Sequence, residues 1–242
     1  QKIDFQGEGN KFSVVHLFLP DIEYLKGEFH TQIEITGTQL HPQLNGNISL
    51  EAGEVKIDQL KDPLTQLFTE IRMENDKIYF EKLEAQLEGK ALVKQGKPIQ
   101  KYIRDFLTLR FLSSTKPPQG RLAVRGTMQV LGLDRFQYDL SITGRNFPFV
   151  YEYMEVSGIT DFDLKVEGET PPKVSGNFAL KQLEYEEPFG SPVTLALAGQ
   201  KVADPSALWD WEFILAAPNN IWVRNTDMNA EFLGEVAVYR ID

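Results

Sequence analysis

Apolar and polar residues alternate along most of this chain. The period is two at Ile33-Glu34-Ile35, Ile48-Ser49-Leu50, Val55-Lys56-Ile57 and Ile78-Tyr79-Phe80. It continues at Phe136-Gln137-Tyr138-Asp139-Leu140-Ser141-Ile142, Phe162-Asp163-Leu164-Lys165-Val166 and Phe178-Ala179-Leu180. Later runs are Leu195-Ala196-Leu197, Ile221-Trp222-Val223, Phe232-Leu233 and Val236-Ala237-Val238. Side chains on a strand point to alternate faces, so each run predicts a strand with one apolar face and one largely polar face. This is the pattern of antiparallel sheet wet on one side; buried parallel strands read as unbroken apolar runs.

Turn signals separate the runs: Glu8-Gly9-Asn10, Leu44-Asn45-Gly46-Asn47, Glu51-Ala52-Gly53, Glu74-Asn75-Asp76, Val174-Ser175-Gly176-Asn177 and Pro218-Asn219-Asn220. Asn and Gly accept the positive φ that tight turns need. Together they predict roughly fourteen to sixteen strands joined mainly as hairpins, a long meander.

Two segments depart from this period. Asp62-Pro63 reads as a helix N-cap and first helical position, and Leu60, Leu64, Leu67, Phe68 and Ile71 follow at helical spacing. A helix is therefore expected over 60–72. A second helical insertion is expected near 98–108, after Pro98. Lys116-Pro117-Pro118-Gln119-Gly120 then marks a boundary. The chain divides into a β-groove repeat over 1–116, carrying both helical insertions, and a second over 117–242, continuous with the first.

The loop and strand around Gly37–Leu50 recur around Gly168–Leu180. Each copy has a strand ending in Gly, a loop with Pro, an apolar residue, Gly-Asn, and a new strand. Repetition at such spacing suggests a sheet extended by stacking like units.

Composition narrows the function. With 25 Lys and Arg against 35 Asp and Glu, the net charge is −10. Nucleic-acid binding needs a basic surface to neutralise phosphate, and none is expected. The same charge opposes adsorption to anionic head groups, so contact with lipid has to be apolar. The 242 residues contain no cysteine, which excludes disulfides, thiolate metal sites and a cysteine nucleophile. No cofactor is expected.

Catalytic signatures are weak. His16, His30 and His41 lack the spacing of a helical metal pair. Gly89-Lys90 and Gly96-Lys97 lack the remainder of a phosphate loop. Asp161 with Asp163, and Glu184 with Glu186 and Glu187, share strand faces and mimic the acid pairs of a glycosidase. Trp209, Trp211 and Trp222, with Tyr151 and Tyr153, offer rings for sugar stacking. The solvated face of an amphipathic strand and half-buried sheet packing account for both sets without catalysis.

One extended phrase resembles a family. Arg145-Asn146-Phe147-Pro148-Phe149 leads, after a spacer, to Val156-Ser157-Gly158-Ile159-Thr160-Asp161-Phe162-Asp163-Leu164-Lys165-Val166-Glu167-Gly168. This is similar to the recurring phrase of the TamB and AsmA-like proteins, and both repeat copies match its continuation. Ala217–Asn225 and Met228–Val236 resemble a further phrase of the periplasmic region of TamB.

The resemblance implies a β-sheet curved lengthwise into a taco-like trough with an apolar lining. It places the chain in the periplasm of a Gram-negative envelope, as a piece of a longer protein anchored in the inner membrane. It implies phospholipid transport between the two membranes, or assistance to outer-membrane protein assembly.

The expected fold is mainly β: an antiparallel meander curved into an amphipathic groove with an apolar interior and one or two short helices. The expected function is non-enzymatic carriage of phospholipid acyl chains. Strand parity assigns the lining to Ile33, Ile35, Ile48, Leu50, Val55, Ile57, Tyr138, Leu140, Ile142, Phe162, Leu164, Val166, Phe178, Leu180, Leu195, Leu197, Phe213, Val223, Phe232, Val236 and Val238. One alternative is a scaffold that recruits an outer-membrane β-barrel protein by strand addition. A second is an enzyme acting on envelope polysaccharide.

Overall fold

A computed structural model describes residues 2–11, 22–38, 41–58, 60–89, 118–132, 135–151, 155–188 and 209–240. The described chain is almost entirely strand. The elements are β1 (Ile3–Lys11), β2 (Ile22–Gly37), β3 (Pro42–Ile57), β4 (Leu64–Glu74), β5 (Lys77–Glu88) and β6 (Gln119–Val130). They continue as β7 (Phe136–Tyr151), β8 (Val156–Glu169), β9 (Lys173–Tyr185), β10 (Asp210–Arg224) and β11 (Asn229–Arg240). All belong to one open, curled sheet whose spatial order is the sequence order. Every described neighbouring pair is antiparallel except β9 and β10, which run parallel. The expected mainly-β meander is the observed fold. β5 pairs directly with β6, so the sheet crosses the 116/117 boundary without a break.

Register carries the alternation of the sequence across the whole sheet. One row of directly opposed residues runs Thr31, Ile48, Ile71, Phe80, Gly126, Leu140, Val166, Val174 and Trp211, from β2 to β10. The adjacent row runs Gln32, Asn47, Arg72, Tyr79, Thr127, Asp139, Glu167, Lys173 and Asp210. Opposed residues share a face, so the first row belongs to an apolar face and the second to a polar one.

The expected helix over 60–72 is not formed; Leu64–Glu74 is strand β4. The cause is a bulge. Gln66 adopts φ 49° and the register shifts between Thr65 and Phe68. The extra residue puts Leu64, Leu67, Thr69, Ile71 and Met73 on the apolar face and turns Phe68 outward. A spacing of three across a bulge has the same appearance as one helical turn. The expected insertion near 98–108 lies outside the described residues.

Several expected turns are bulges as well. Glu51-Ala52-Gly53 lies inside β3, with Ala52 at φ 49°, and Pro218-Asn219-Asn220 inside β10, with Asn220 at φ 60°. Fewer and longer strands result: β2, β3 and β7 each have 16 residues. Bulges recur in neighbouring strands, among them Gly27, Ala52, Gln66 and Glu81 in β2–β5, and Asn146, Lys181 and Asn220 in β7–β10. A bulge bends its strand and raises local twist, and grouped bulges curl the sheet.

The repeat seen in the sequence is a repeat of backbone geometry. Gly46 (φ 144°) and Gly176 (φ 150°) occupy equivalent sites in β3 and β9. A Cβ would lie 1.9 Å from the Gln32 carbonyl oxygen at Gly46 and 2.1 Å from that of Asp163 at Gly176. Both contacts are impossible, so these strands approach their predecessors this closely only because the residue is glycine.

Candidate functional site: the apolar face of the sheet

Of the expected lining residues, Ile33, Ile35, Ile48, Leu50, Val55, Ile57, Tyr138, Leu140, Ile142, Phe162, Leu164, Val166, Phe178, Leu180, Phe213, Val223, Phe232, Val236 and Val238 lie on one face of the sheet. Leu195 and Leu197 fall outside the described residues.

Burial distinguishes this face from the other. The buried apolar residues Leu50, Val55, Leu64, Ala85, Leu87, Val130, Phe162, Val166 and Ile221 all belong to it, as do the buried threonines Thr31, Thr69 and Thr160. Among the described residues no second layer covers the sheet. Curvature brings side chains of distant strands together on this face, as where Phe147 of β7 packs against the cluster of Val55 and Leu64. Near one margin Val55, Leu64, Ala85 and Leu87 form a tight cluster against Ile22, Leu25, Leu60, Leu67 and Phe147.

The second half of the face is aromatic. Phe147 meets Phe162 at 5.4 Å, Phe162 meets Phe178 at 5.7 Å, and Phe178 meets Phe213 at 5.4 Å. Trp211 stacks on Phe213 at 5.8 Å. These rings make a ridge across β7, β8, β9 and β10. Edge-to-face and offset pairs of this kind contribute about 0.5–1.5 kcal/mol each beyond their buried area. Beside the ridge, Val174, Trp209, Trp211 and Phe213 line a shallow hollow of about 250 Å³.

Strand parity alone omitted Phe147 and Trp211. The Asn146 bulge (φ 49°) shifts the apolar positions of β7 from Leu140, Ile142 and Gly144 to Phe147 and Phe149, which hides Phe147 from a period-two reading. Trp211 stands two positions before Phe213 on the same strand, which is the signal that finds it.

Polar groups on the apolar face are few and mostly satisfied. Thr160 Oγ1 donates to a backbone carbonyl, with Asp161 O at 2.9 Å and Ala179 O at 3.2 Å. Thr69 Oγ1 is buried and has no hydrogen-bond partner among the described residues.

The opposite face is a lattice of ion pairs. Arg72 bridges Glu74 and Glu81, each at 2.7 Å. Lys173 pairs with Glu212 at 2.7 Å, across the parallel junction. Tyr24 donates to Glu54 at 2.7 Å, which pushes its phenol up to about 12. Arg72 lies over the ring of Tyr79, and Lys82 over that of the out-turned Phe68.

Asp161, Asp163 and Glu184, three of the carboxylates weighed for glycosidase chemistry, belong to this lattice. Asp161 pairs with Lys181 at 2.7 Å and accepts the Asn146 backbone N–H at 2.6 Å. Burial pushes the Asp161 carboxyl up, but the Lys181 and Asn146 hydrogen bonds and the charge of Arg145 hold it below the usual carboxylate range. Asp163 pairs with Arg145 at 2.6 Å and Glu184 with Arg224 at 2.8 Å. Trp222 lies under Arg224 on the polar face, whereas Trp211 is on the apolar face, so the tryptophans do not form one platform. The side chain of Tyr151, and Tyr153 altogether, lie outside the description. No group of three or more potential metal ligands occurs among the described residues. A polar hollow of about 530 Å³ opens at the strand ends between His41, Asn75, Asp76, Arg135 and Glu169.

Comparison of the chain with protein-family models, curated proteins and solved structures finds no match.

Proposed function

We propose that the apolar face is a binding surface for the acyl chains of phospholipids, and that the chain is a non-enzymatic lipid-carrying segment of a Gram-negative envelope protein. The observation that carries this reading is the concentration of buried and aromatic side chains on one face of a curled sheet, with no second layer over it among the described residues. An amphipathic sheet has to cover its apolar face with something. Acyl chains suit such a surface because each buried CH₂ contributes about 0.8 kcal/mol without a directional contact. The aromatic ridge from Phe147 to Trp211 supplies rigid, flat surface for that contact.

The ion pairing of Asp161, Asp163 and Glu184 supports a structural role for these acids over the polysaccharide-acting alternative. Mass spectrometry of material extracted from the purified protein tests the proposal. Phospholipid in near-stoichiometric amount is expected. Protein free of lipid, and unable to take up phospholipid from vesicles, would count against it.

A further inference from the structure

The meander puts the turns of β2–β3, β4–β5, β6–β7 and β8–β9 at one end of the sheet. Curvature draws residues of these four turns round the polar hollow of about 530 Å³. Clefts that take small molecules typically measure about 300–1,000 Å³. The hollow adjoins the apolar face. Pro42 and Val130 line it, and both stand on that face: Pro42 leads to Leu44 and Ile48 along β3, and Val130 to Met128 and Val124 along β6.

Bonds between successive turns fix its walls. Leu44 N donates to Asn75 O at 2.5 Å, Val130 N to Asp76 O at 2.7 Å, and Thr170 N to Phe136 O at 2.9 Å. Its charged groups are positioned as well. Gln129 Nε2 donates to Asp76 Oδ2 at 2.7 Å, and Arg135 Nη2 to Glu169 Oε2 at 3.0 Å.

The opposite strand ends are close-packed. There a Cβ on Gly120 would lie 2.6 Å from Pro148 Cδ, and one on Gly89 2.8 Å from Pro148 Cβ. A hollow of only about 10 Å³ remains beside Leu60 and Leu87. The two ends of the apolar face therefore differ: one has room for a polar group and the other is filled by β7.

We propose that the hollow between Asp76, Arg135 and Glu169 seats the headgroup of a zwitterionic phospholipid of the phosphoethanolamine type, with the acyl chains running from it along the apolar face. This rests on the acyl-chain reading above. Arg135 takes the phosphate, a charge-assisted contact that suits the planar guanidinium fork. Asp76 and Glu169 take the ammonium. Arg135 and Glu169 are 63 % and 58 % exposed, so the ion pair between them is weak and exchanges readily for these contacts. An anionic headgroup leaves both carboxylates unmatched, in a chain that already carries −10. A diacylglycerol engages none of the three groups.

Binding from mixed micelles tests this. The full chain is incubated with non-ionic detergent micelles holding equal amounts of phosphatidylethanolamine, phosphatidylglycerol and diacylglycerol with the same acyl chains. After the micelles are removed, bound lipid is counted by mass spectrometry. Phosphatidylethanolamine is expected to exceed each of the others at least about fivefold. Arg135→Gln, with unchanged circular dichroism, is expected to abolish the preference over diacylglycerol, and Asp76→Asn to reduce the preference over phosphatidylglycerol. Arg125→Gln, on the polar face and outside the hollow, is expected to keep both. Equal binding of the three lipids would overturn the headgroup seat and leave the acyl-chain surface standing. Binding of none would overturn the acyl-chain reading and the seat with it. Arg125→Gln acting like Arg135→Gln, or soluble glycerophosphoethanolamine binding as tightly as the whole lipid, would also overturn the seat.

Discussion

Phe178 of β9 meets Phe213 of β10 edge to face, with ring centroids 5.4 Å apart, across the parallel junction of the sheet. Parallel pairing is slightly weaker per residue than antiparallel pairing. Here the rings reinforce it on one face and the Lys173–Glu212 ion pair on the other. A double-mutant cycle with Phe178→Leu and Phe213→Leu, followed by urea unfolding, is expected to show coupling of about 0.5–1.5 kcal/mol. Strict additivity of the two substitutions would contradict the ridge as a stabilising unit.

Gly46 and Gly176 occupy the same place in the two copies of the repeat. Alanine at either site forces a carbonyl contact and a φ that L-residues rarely adopt. Each substitution should destabilise by more than about 1 kcal/mol, beyond any gain from a stiffer unfolded chain. Ala52→Gly, at a bulge already held at φ 49°, should leave stability unchanged or raised. Thermal unfolding of the three variants checks the contrast.

How far the sequence discloses this structure is set by those same bulges. Alternation at Leu140, Ile142, Leu164 and Val166 states the face directly, because period two survives wherever the strand is regular. It fails at Leu64-Gln66-Leu67 and at Glu51-Ala52-Gly53, where one inserted residue imitates a helical turn or a hairpin. Only the long-range pairing of Gly53 with Leu67 distinguishes these cases, and local spacing does not contain it. The parallel placement of β10 on β9 is equally illegible, since nothing in either strand specifies its neighbour's direction. Another bulge, at Lys181, changes the parity of β9 and brings Leu183 rather than Gln182 onto the apolar face.

Thr69 offers a test of how apolar the lining is. Its hydroxyl is buried between Leu50 and Leu83 of the flanking strands and has no partner among the described residues. Thr69→Val removes a desolvated polar group while preserving shape. It should raise stability by up to about 1 kcal/mol, measured by denaturant midpoint. A loss of stability would mean that the hydroxyl has a partner.

The dependence on pH follows from two groups on the polar face. Asp161 has a folded-state pKa below its ordinary value, so its stabilisation is present above the unfolded pKa and is lost as pH falls through the folded one. Tyr24 is pushed up to about 12, so its stabilisation is present below the unfolded phenol value and disappears as pH rises toward 12. Asp161→Asn should flatten the acid limb of the stability profile, and Tyr24→Phe the alkaline limb, with little exchange between them. Unfolding midpoints measured from acid to alkaline pH provide the check.

Photo-crosslinkers placed one strand position apart test the central proposal most directly. Leu164 and Leu180 lie on the apolar face, whereas Asp163 and Lys165 lie on the other. Incubation of each labelled, folded protein with phospholipid vesicles is expected to give lipid adducts at Leu164 and Leu180 and essentially none at Asp163 and Lys165. Equal capture at all four positions, or none at the two leucines, would contradict an acyl-chain surface on this face.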